Sequence, residues 1–280
     1  MKNGVVATIV NWNSGQMLKE AVESILRDDE VDTVFVVDNA SSDKSLRGVR
    51  EVDDRVQVLE NKSNRGFAGA VNQAFDATNS AFVLILNPDI QATPDAIGLL
   101  AEVLESNPRV GAVGGFVSEG YHPRPFPTLG SLSWENLGLP RFETSFGRSG
   151  AQSVDQVAGA AFMVRRAAFD EVGGFDEQFF PAWYEDVDFC KMISKSGWKI
   201  CFHPEARFHH DGGYSIETMG LKKFLSAYYK NQIRYARKHL GARSGFSIRV
   251  ALVFGMVFKM ICRPRRAITY WKVIRDVVRG

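Results

Sequence analysis

The chain has 280 residues, of which 45% are hydrophobic, and this size suits one large domain or one domain with an appendage. Its three cysteines, Cys190, Cys201 and Cys262, lack the spacing of metal ligands and cannot all pair, which excludes a cysteine metal site and a complete disulfide framework. The first residues show no basic stretch followed by a cleavable apolar segment, so we expect a reduced, cytoplasmic protein with buried cysteines.

The net charge of +2 conceals an uneven distribution along the chain. Residues 221–280 hold 15 Lys and Arg and a single acid, Asp276, whereas residues 1–220 hold 19 basic and 31 acidic residues. The tail therefore carries +14 and the body −12. This division predicts a basic appendage whose partner is a nucleic acid or an anionic membrane surface.

Apolar runs and helical patterns alternate along the first part of the chain. A continuous apolar run at residues 5–10 is typical of a strand buried on both faces, and further strands are predicted at residues 33–38, 56–60, 81–87 and 109–117. Apolar residues at helical spacing lie between them, at residues 14–28, 66–78 and 93–106. We expect Thr93 to be the N-cap of the third helix. The alternation predicts an α/β fold with a doubly wound parallel sheet of strand order 3-2-1-4.

The second half of the chain follows a different pattern. Residues 118–152 are rich in Gly, Pro, Ser and aromatic residues and predict a long loop over the sheet, of a kind that often carries function. A strand within 154–166, a short helix, a helix at 185–197 and a strand at 198–204 are predicted next.

Polar side chains follow the two strands between which the strand order reverses. Strand 1 leads into Asn11-Trp12-Asn13, and strand 4 leads into Asn87-Pro88-Asp89. Open α/β sheets bind ligands at this edge, so we expect a site here. The sequence after strand 1, NWNSGQ, lacks the glycine fingerprint of dinucleotide-binding enzymes, and no P-loop motif occurs.

Two further segments near the predicted edge have alternative interpretations. Asp38, at the end of strand 2, can accept a hydrogen bond from a base or ribose, or it can cap the turn Asp-Asn-Ala-Ser-Ser. Asn64, Arg65 and Gly66 precede a helix whose N-terminus attracts anions, and Arg65 can stack on a base or pair with a phosphate. The alternative for Gly66 is close packing of the helix.

Asp89 is a candidate ligand of a divalent cation. Mg²⁺ takes one or two protein oxygens and completes its coordination with phosphates, and Asn87 can add a neutral oxygen or bind a sugar hydroxyl. The alternative for Asp89 is a cap on the following helix.

The remaining candidates are an acidic cluster and a histidine pair. Residues 183–188, Trp-Tyr-Glu-Asp-Val-Asp, place acids at a helix start, where the helix dipole favours them and where one can act as a general base. His209 and His210 precede two glycines, and one of them can serve as a ligand of a metal or diphosphate.

The order of these motifs resembles family 2 glycosyltransferases, in particular the rhamnosyltransferase-like branch. Six motifs within residues 5–240 occur in the same order as in that family. They are NWN, VVDNASSD, NRGFAGAVNQA, NPD, GGFDEQFF…YEDVDFC and H-x-G-G-x-S. The resemblance aligns His210 and Ser215 with the last motif. Asn87 stands where many relatives have an aspartate.

The resemblance implies a GT-A fold, which is a Rossmann-like, doubly wound, mostly parallel sheet, here with a C-terminal basic helical extension. It implies a catalytic domain over 1–220, with a nucleotide-sugar-binding half at 1–117 and an acceptor-binding half at 118–220, and a basic tail at 221–280. It also implies a nucleotide-sugar donor, Mg²⁺ or Mn²⁺ and inversion at the anomeric carbon.

The same resemblance assigns roles to the candidate residues. Asp186 would be the general base, with Glu185 orienting it or holding the sugar, and Asp89 with His210 would bind the metal. The donor would contact the set formed by Asn11, Asn13, Asp38, Asn64, Arg65, Gly66, Asn87 and Asp89.

The expected reaction is transfer of L-rhamnose from dTDP-L-rhamnose to a glycan or polyprenyl-linked acceptor in the synthesis of cell-surface polysaccharide. UDP-galactofuranose, a UDP-hexose and a non-catalytic nucleotide-sugar-binding module stay open as alternatives. A sugar-phosphate nucleotidyltransferase is disfavoured, because NWNSGQ is not a Gly-rich basic loop.

The tail predicts an amphipathic basic helix at 221–241 and an apolar segment at 246–262. Arg249 and Lys259 interrupt that segment, and its uninterrupted run of nine residues is short against the roughly 20 that a spanning helix needs. We therefore expect it to lie on the inner face of the cell membrane rather than cross it. A core helix and a homodimer contact are alternatives. Nucleic acid is disfavoured, because the basic residues flank an apolar run.

Overall fold

The computed structural model describes residues 4–140, 146–210 and 219–279. The strands β1 to β9 in this part are Val5–Asn11, Val31–Asp38, Val56–Glu60, Phe82–Leu86, Ile90–Ala92, Val110–Phe116, Gln152–Val154, Ala161–Arg165 and Lys199–His210. The α-helices α1 to α9 are Met17–Ile25, Gly66–Asp76, Ala96–Ser106, Leu129–Asn136, Arg166–Val172, Glu185–Lys195, Leu221–His239, Ser244–Cys262 and Ala267–Arg279. Short 3₁₀ turns lie at Glu119–Tyr121 and Pro264–Arg266.

The chain forms two compact units. The sheet unit comprises Met1–Pro125, Thr144–Pro181 and Glu185–Gly212. The helical unit comprises Phe126–Glu143, Ala182–Tyr184 and Gly213–Gly280.

The sheet has the order β3-β2-β1-β4-β8-β6-β9-β5, and β7 also pairs with β9. β1 lies parallel to β2 and β4, and β2 lies parallel to β3, so the predicted order 3-2-1-4 is confirmed. Every residue of β1 and β4 is buried, as expected for strands covered on both faces. The parallel arrangement brings the carboxyl ends of β1, β2 and β4 to one edge.

The second half of the sheet unit makes the sheet mixed. β8 lies antiparallel between β4 and β6, and β9 lies parallel to β6. β9 continues to His210, beyond the predicted end at residue 204, because its last residues pair with β5 in antiparallel register. This pairing brings the chain after β4 to the end of β9.

Two sequence expectations are wrong in detail. Thr93 does not cap α3, because its backbone N–H and its hydroxyl both donate to the carbonyl oxygen of Arg207, at 3.2 and 2.8 Å, and continue the β5–β9 pairing. Residues 118–152 are not one long loop, since they contain a 3₁₀ turn, α4 and the start of β7. The hydroxyl of Thr128 accepts from the backbone N–H of Ser131 at 3.1 Å and caps α4.

The helical unit packs α4, α7, α8 and α9 together. A buried polar contact links two of them, since Asn136 Nδ2 of α4 donates to Gln232 Oε1 of α7 at 2.8 Å. α8 buries one side, formed by Ser244, Gly245, Ile248, Leu252, Gly255 and Met256. Its continuous length shows that Arg249 and Lys259 do not interrupt the helix.

Candidate active site

Asn11 and Asp38 form a buried polar pair at the shared end of β1 and β2. These residues face each other in the parallel register, and Asn11 Nδ2 donates to Asp38 Oδ1 at 2.6 Å. The same amide nitrogen lies 3.1 Å from the hydroxyl of Ser41 and 2.9 Å from that of Ser45. The two side chains therefore have a fixed orientation.

Asp38 caps the turn after β2, and its carboxylate can still accept a further hydrogen bond. Asp38 Oδ1 accepts from the hydroxyl of Ser41 at 2.6 Å, and Oδ2 accepts from the backbone N–H of Ser41 at 3.0 Å. An ionised carboxylate offers about four acceptor positions. The capping interpretation thus holds, and room stays at Oδ2 for one donor from a ligand.

Asn13 connects the exit of β1 to this turn. Its Oδ1 accepts from the backbone N–H groups of Ser42 and Asp43 at 2.7 and 3.2 Å, and its own N–H donates to the hydroxyl of Ser41 at 2.8 Å. The carbonyl of the Asn13 side chain therefore holds the loop rather than pointing to a ligand.

Asn39 is a binding-edge residue that the sequence did not single out. Its buried side chain donates to the carbonyl oxygen of Gly66 at 3.1 Å and accepts from the backbone N–H of Arg65 at 3.2 Å. Asn61 Nδ2 also donates to Asn39 Oδ1, at 3.2 Å. Asn39 thereby fixes the start of α2 to the end of β2.

The segment Asn64-Arg65-Gly66 forms the N-terminus of α2. Asn64 Oδ1 accepts from the Gly66 N–H at 2.7 Å, and Gly66 has a φ of 76°, which favours glycine. A Cβ at Gly66 would lie 2.9 Å from Phe180 and from the carbonyl oxygen of Pro181. Close packing therefore explains this glycine. The Arg65 side chain is exposed and lies 3.8 Å from Glu177.

Asp89 and His210 lie together beyond the end of β4. The register Ile90 to His210 places the two side chains on neighbouring strands, and Asp89 Oδ2 lies 3.3 Å from His210 Nε2. Both side chains are buried. Asn87 lies at the same exit, and its backbone N–H donates to the carbonyl oxygen of Ala160 at 3.0 Å.

The second carboxylate oxygen of Asp89 has the properties of a cation ligand. Asp89 Oδ1 is buried and has no hydrogen-bond partner among the residues that the structure describes, and an unsatisfied buried carboxylate oxygen is costly. In the described ranges, no group of three or more His, Cys, Asp or Glu residues could hold a metal by itself. The residues fit Mg²⁺ or Mn²⁺ of the kind that shares its coordination with phosphates.

Asp186 is the acid of α6 that keeps access to solvent. Its Oδ2 accepts from the backbone N–H of Gly159 at 2.8 Å, and its Oδ1 accepts from that of Val187 at 2.8 Å. A Cβ at Gly159 would lie 3.0 Å from that of Asp186, so glycine permits the approach. Burial raises the pKa of Asp186, while the backbone hydrogen bonds and the charge of Arg124 oppose the rise.

The neighbouring acids Glu185 and Asp188 are buried. Burial, followed by the charges of Asp186 and Asp188, raises the pKa of Glu185 well above its ordinary value. Glu185 Oε2 has no hydrogen-bond partner within the described protein. Burial therefore favours the neutral form of Glu185, and Asp186 is the least buried of the three acids.

The residues that lead into α6 have a restricted backbone. Trp183 and Tyr184 have φ values of 75° and 73°, a region that side chains of L residues rarely adopt. Within the helical unit, the ring of Trp183 packs on Phe224 with centroids 4.8 Å apart, and Gln232 donates to the Tyr184 hydroxyl at 3.1 Å. These contacts oppose relaxation of the strained segment.

Tyr121 packs against His210, the neighbour of Asp89. Its hydroxyl lies 3.4 Å from His210 Nε2, and the two rings meet edge to face. Burial raises the pKa of Tyr121, and the charges of Asp89 and Asp186 add to the rise. The functional character predicted for the 118–152 segment is the one sequence signal that points to this residue.

The carboxyl edge of the sheet thus brings together residues that are distant in the sequence. Asn87 bonds to the backbone at Ala160, and Asp186 bonds to the backbone at Gly159, the preceding residue. His209 is exposed, unlike the His210 side chain. Ser215 lies outside the described residues. Asp38 supplies a hydrogen-bond acceptor of fixed orientation, and Asp89 supplies a carboxylate oxygen that has no partner among the described residues. Asp186 supplies a carboxylate whose pKa is raised.

Comparison with protein families decides the class of the chain. Residues 7–173 match the model of glycosyl transferase family 2. The chain belongs to family 2 of the glycosyltransferases. It is therefore an enzyme, which removes the non-catalytic module from the alternatives. A second model, described as the N-terminal domain of galactosyltransferase, matches residues 149–212.

The relatives of this glycosyltransferase include rhamnosyltransferases. It is 26% identical to an N-acetylglucosaminyl-diphospho-decaprenol L-rhamnosyltransferase of Mycobacterium tuberculosis, over 83% of this chain and 84% of the relative. It is also 26% identical to the rhamnosyltransferase WbbL of Escherichia coli, over 89% of this chain and 99% of the relative. The predicted rhamnosyltransferase-like membership is confirmed.

A solved structure supports the GT-A fold. The mannosyltransferase PcManGT from Pyrobaculum calidifontis, in complex with GDP-Man and Mn²⁺, superimposes with a TM-score of 0.63 over 98% of this chain and 86% of that chain. The sequence identity is 16%, so this likeness concerns the fold. The predicted GT-A, Rossmann-like architecture with C-terminal helices is confirmed.

Proposed function

We propose that this glycosyltransferase moves L-rhamnose from dTDP-L-rhamnose to a hydroxyl of a lipid-linked glycan in the synthesis of cell-surface polysaccharide, with inversion at the anomeric carbon. The observation that carries the proposal is the pair of backbone contacts at Gly159 and Ala160: Asp186 accepts from the N–H of Gly159, and the N–H of Asn87 donates to the carbonyl oxygen of Ala160. These contacts bring the base candidate and the exit of β4, which leads to Asp89, to one end of the sheet.

The nucleotide end of the donor binds at the exits of β1 and β2. Asp38 accepts a hydrogen bond from the base or the ribose through its remaining capacity, and Asn11 holds Asp38 in place. Arg65 is exposed at the N-terminus of α2, where its guanidinium and the helix dipole attract the diphosphate. Asn64, Gly66 and Asn13 shape the backbone of this region.

Asp89, with His210 and Asn87, would hold Mg²⁺ or Mn²⁺ together with the diphosphate. A bound divalent cation stabilises the charge that develops on a leaving diphosphate. Support comes from the unsatisfied Oδ1 of Asp89 and from its position beside His210. The Tyr121 hydroxyl beside His210 stays protonated and can donate a hydrogen bond to the same ligand.

Asp186 acts as the general base. As the acceptor hydroxyl attacks the anomeric carbon and the bond to the diphosphate breaks, Asp186 takes the hydroxyl proton. Its raised pKa strengthens it as a base, and its bonds to Gly159 and Val187 hold it in one orientation. Glu185, whose pKa is raised by burial, lies beside it at the start of α6.

The acceptor assignment and the cellular location rest on the relatives and on the charge of the tail. The M. tuberculosis relative is named for an acceptor on a decaprenyl diphosphate. A polyprenyl-linked acceptor is held in the membrane, so an enzyme that uses it works at the inner membrane face. The basic tail of residues 221–280 fits such a position.

A UDP-linked hexose or galactofuranose is the second donor candidate. The match of residues 149–212 to a galactosyltransferase model favours it specifically, because that range includes Asp186. The reaction and the roles of Asp89 and Asp186 are the same for either donor.

A panel of nucleotide sugars tests the proposal. We expect dTDP-L-rhamnose with Mn²⁺ to raise the melting temperature more than UDP-galactose, UDP-galactofuranose, UDP-glucose or GDP-mannose, and to release dTDP in the presence of a polyprenyl-linked acceptor. Stabilisation by a UDP-sugar alone would select the second donor. Absence of stabilisation by every nucleotide sugar, with Mn²⁺ or Mg²⁺, would contradict the proposed site.

A further inference from the structure

The C-terminal helices carry an apolar surface of unusual extent. Nine of the fourteen exposed large hydrophobic side chains of the described residues belong to α8 and α9. They are Phe246, Val250, Phe254, Val257, Phe258, Ile261, Ile268, Trp271 and Val278. We define this set as the apolar face. Soluble proteins seldom expose so large a group of neighbouring apolar side chains without a partner.

The apolar residues of α8 form a single stripe along the helix. Their spacing, from Phe246 through Val250, Phe254 and Phe258 to Ile261, follows steps of four and three residues, which share one side of a helix. The other side, which includes Ile248, Leu252 and Met256, is buried in the helical unit. The stripe therefore points away from the packed side of α8.

The charged residues within α8 are turned toward the protein. Arg249 Nε donates to the carbonyl oxygen of Val277 at 3.2 Å, and Lys259 Nζ lies 3.4 Å from the hydroxyl of Tyr229. Burial lowers the pKa of Lys259, which agrees with a partly enclosed ammonium group. The two charges that interrupt the apolar sequence consequently leave the apolar face uncharged.

Basic residues surround the apolar face. Arg263, Arg265 and Arg266 are exposed in the turn between α8 and α9. Lys272 and Arg275 are exposed on α9, next in sequence to the apolar Trp271 and close to Val278. An apolar strip flanked by cations matches the hydrocarbon and the headgroups of an anionic bilayer.

α8 also has the length and composition of a membrane-spanning helix, and it is the one such helix in the described chain. A core helix passes the same test, but only 28% of its apolar window is buried. A spanning orientation would carry Arg249, Lys259 and their partners on α7 and α9 into the hydrocarbon, at high cost. The packing therefore favours a helix that lies along the membrane.

We propose that the apolar face of α8 and α9 inserts into one leaflet of an anionic phospholipid bilayer, with both helices parallel to the membrane plane and the arginines of the 263–266 turn on the headgroups. This assignment deepens the proposed function by naming the surface through which the enzyme meets its lipid-linked acceptor. Binding to lipid does not require the donor, so the two proposals are tested separately.

Vesicle binding of the full chain, without nucleotide sugar, tests the apolar part. We expect sedimentation with phosphatidylglycerol-rich vesicles, and binding at least about tenfold weaker for the double variant Phe254→Asp/Phe258→Asp. The matched control, Phe254→Leu/Phe258→Leu, should bind like the unmodified chain. An unchanged melting temperature and turnover on a soluble acceptor would show that the Asp variant folds and that only membrane binding is lost.

The charge contribution has its own matched pair. Arg265→Gln/Arg266→Gln should weaken binding to anionic vesicles by about fivefold per residue at low salt and leave binding to phosphatidylcholine unchanged. Arg27→Gln/Arg109→Gln, the same change at exposed positions of the sheet unit, should have no effect. Equal losses from both pairs would contradict a role for the 263–266 turn.

The orientation is tested with a peptide tag after residue 280. If α8 lies in the plane, protease removes the tag in inverted membrane vesicles and spares it in spheroplasts. Removal in spheroplasts alone would show that α8 spans the membrane and overturn the proposal. A stable dimer that is lost in Phe254→Asp/Phe258→Asp, without vesicle binding by the unmodified chain, would assign the face to a second copy instead.

Discussion

The two ends of the candidate site, at β1 and β2 and at Asp89 and Glu185, differ in how many of their polar atoms have hydrogen bonds within the protein. At the ends of β1 and β2, Asn11, Asp38 and Asn39 each have several hydrogen bonds within the protein. At the other end, Asp89 and Glu185 each have a buried oxygen with no partner among the described residues. The protein itself fixes the first region, and the second has acceptor oxygens that we expect a ligand to satisfy.

We interpret this difference as a division of roles, in which the ends of β1 and β2 bind the nucleotide and the other end carries the reaction. A rigid nucleotide end lowers the entropic cost of binding. Carboxylates with raised pKa or unsatisfied oxygens cost stability but provide a base and a cation ligand. Substitutions at the reactive end should consequently change turnover or metal response, while substitutions at the rigid end should change folding stability.

The largest effect is expected for Asp186→Asn. Loss of the general base should reduce kcat roughly 10³-fold while donor binding is retained. The conservative control Asp170→Asn removes an exposed acid that pairs with Arg166 and should leave kcat unchanged. Steady-state assays with calorimetric donor titration make the comparison. If both activity and donor affinity survive in Asp186→Asn, another group is the base.

The pH profile sharpens this assignment. The base must be ionised, and burial raises its pKa. The acid limb of kcat should therefore lie above the value of about 3.9 for an ordinary aspartate. An acid limb at or below that value would exclude Asp186.

Asp89→Asn is expected to have the next largest effect. Removal of the charged ligand should weaken Mn²⁺-dependent binding of nucleoside diphosphate on the order of 10²-fold, because the remaining amide is a poorer ligand for a hard cation. Calorimetric titration in the presence and absence of Mn²⁺ measures this without turnover. Asp186→Asn is the control, and it should retain the Mn²⁺ dependence. An equal loss in both variants would argue against a separate metal role for Asp89.

Asn39→Ala should act on stability at the rigid end. The substitution leaves the Gly66 carbonyl and the Arg65 N–H without their partner, which costs about 1–3 kcal/mol of unfolding free energy. Chemical denaturation measures the change. Asn107→Ala, at an exposed position, should cost less than about 0.5 kcal/mol. Similar losses in the two variants would mean that the α2 connection does not depend on Asn39.

The smallest effect is expected for Glu185→Gln, and it should depend on pH. Because the folded pKa of Glu185 is raised, its stabilising contribution is complete below its unfolded pKa and is lost as pH rises through the folded pKa. Glutamine is neutral at every pH. The melting temperature of the variant minus that of the unmodified protein should therefore increase as pH increases. A gain that is constant or reversed with pH would contradict a neutral Glu185.

Local patterns in the sequence were sufficient for much of the sheet and for the positions of the polar strand ends. The 3-2-1-4 order agrees with the alternation of strand and helix patterns, and Asp38 and Asp89 lie at or just after the ends of two predicted strands. The motif order supplied the family, which the match over residues 7–173 confirms.

Features that depend on distant contacts could not be predicted in this way. Thr93 has the residue type of an N-cap, but Arg207 recruits it into the sheet. Tyr121 and Asn39 gain their positions from residues that are remote in sequence or from a neighbouring loop. In the sequence, Arg249 and Lys259 interrupt the apolar run of residues 246–262. In the structure, tertiary contacts turn both side chains away from the apolar face.

A crystal structure of the Asp186→Asn variant with Mn²⁺ and the donor selected by the nucleotide-sugar panel would show whether donor, metal and base meet in one site. We expect Mn²⁺ on the Oδ1 side of Asp89 with the diphosphate, the nucleoside against Asp38, and the anomeric carbon facing residue 186 across space for an acceptor hydroxyl. A diphosphate bound away from Asp89, or an anomeric carbon on the opposite side of the sheet from residue 186, would contradict it.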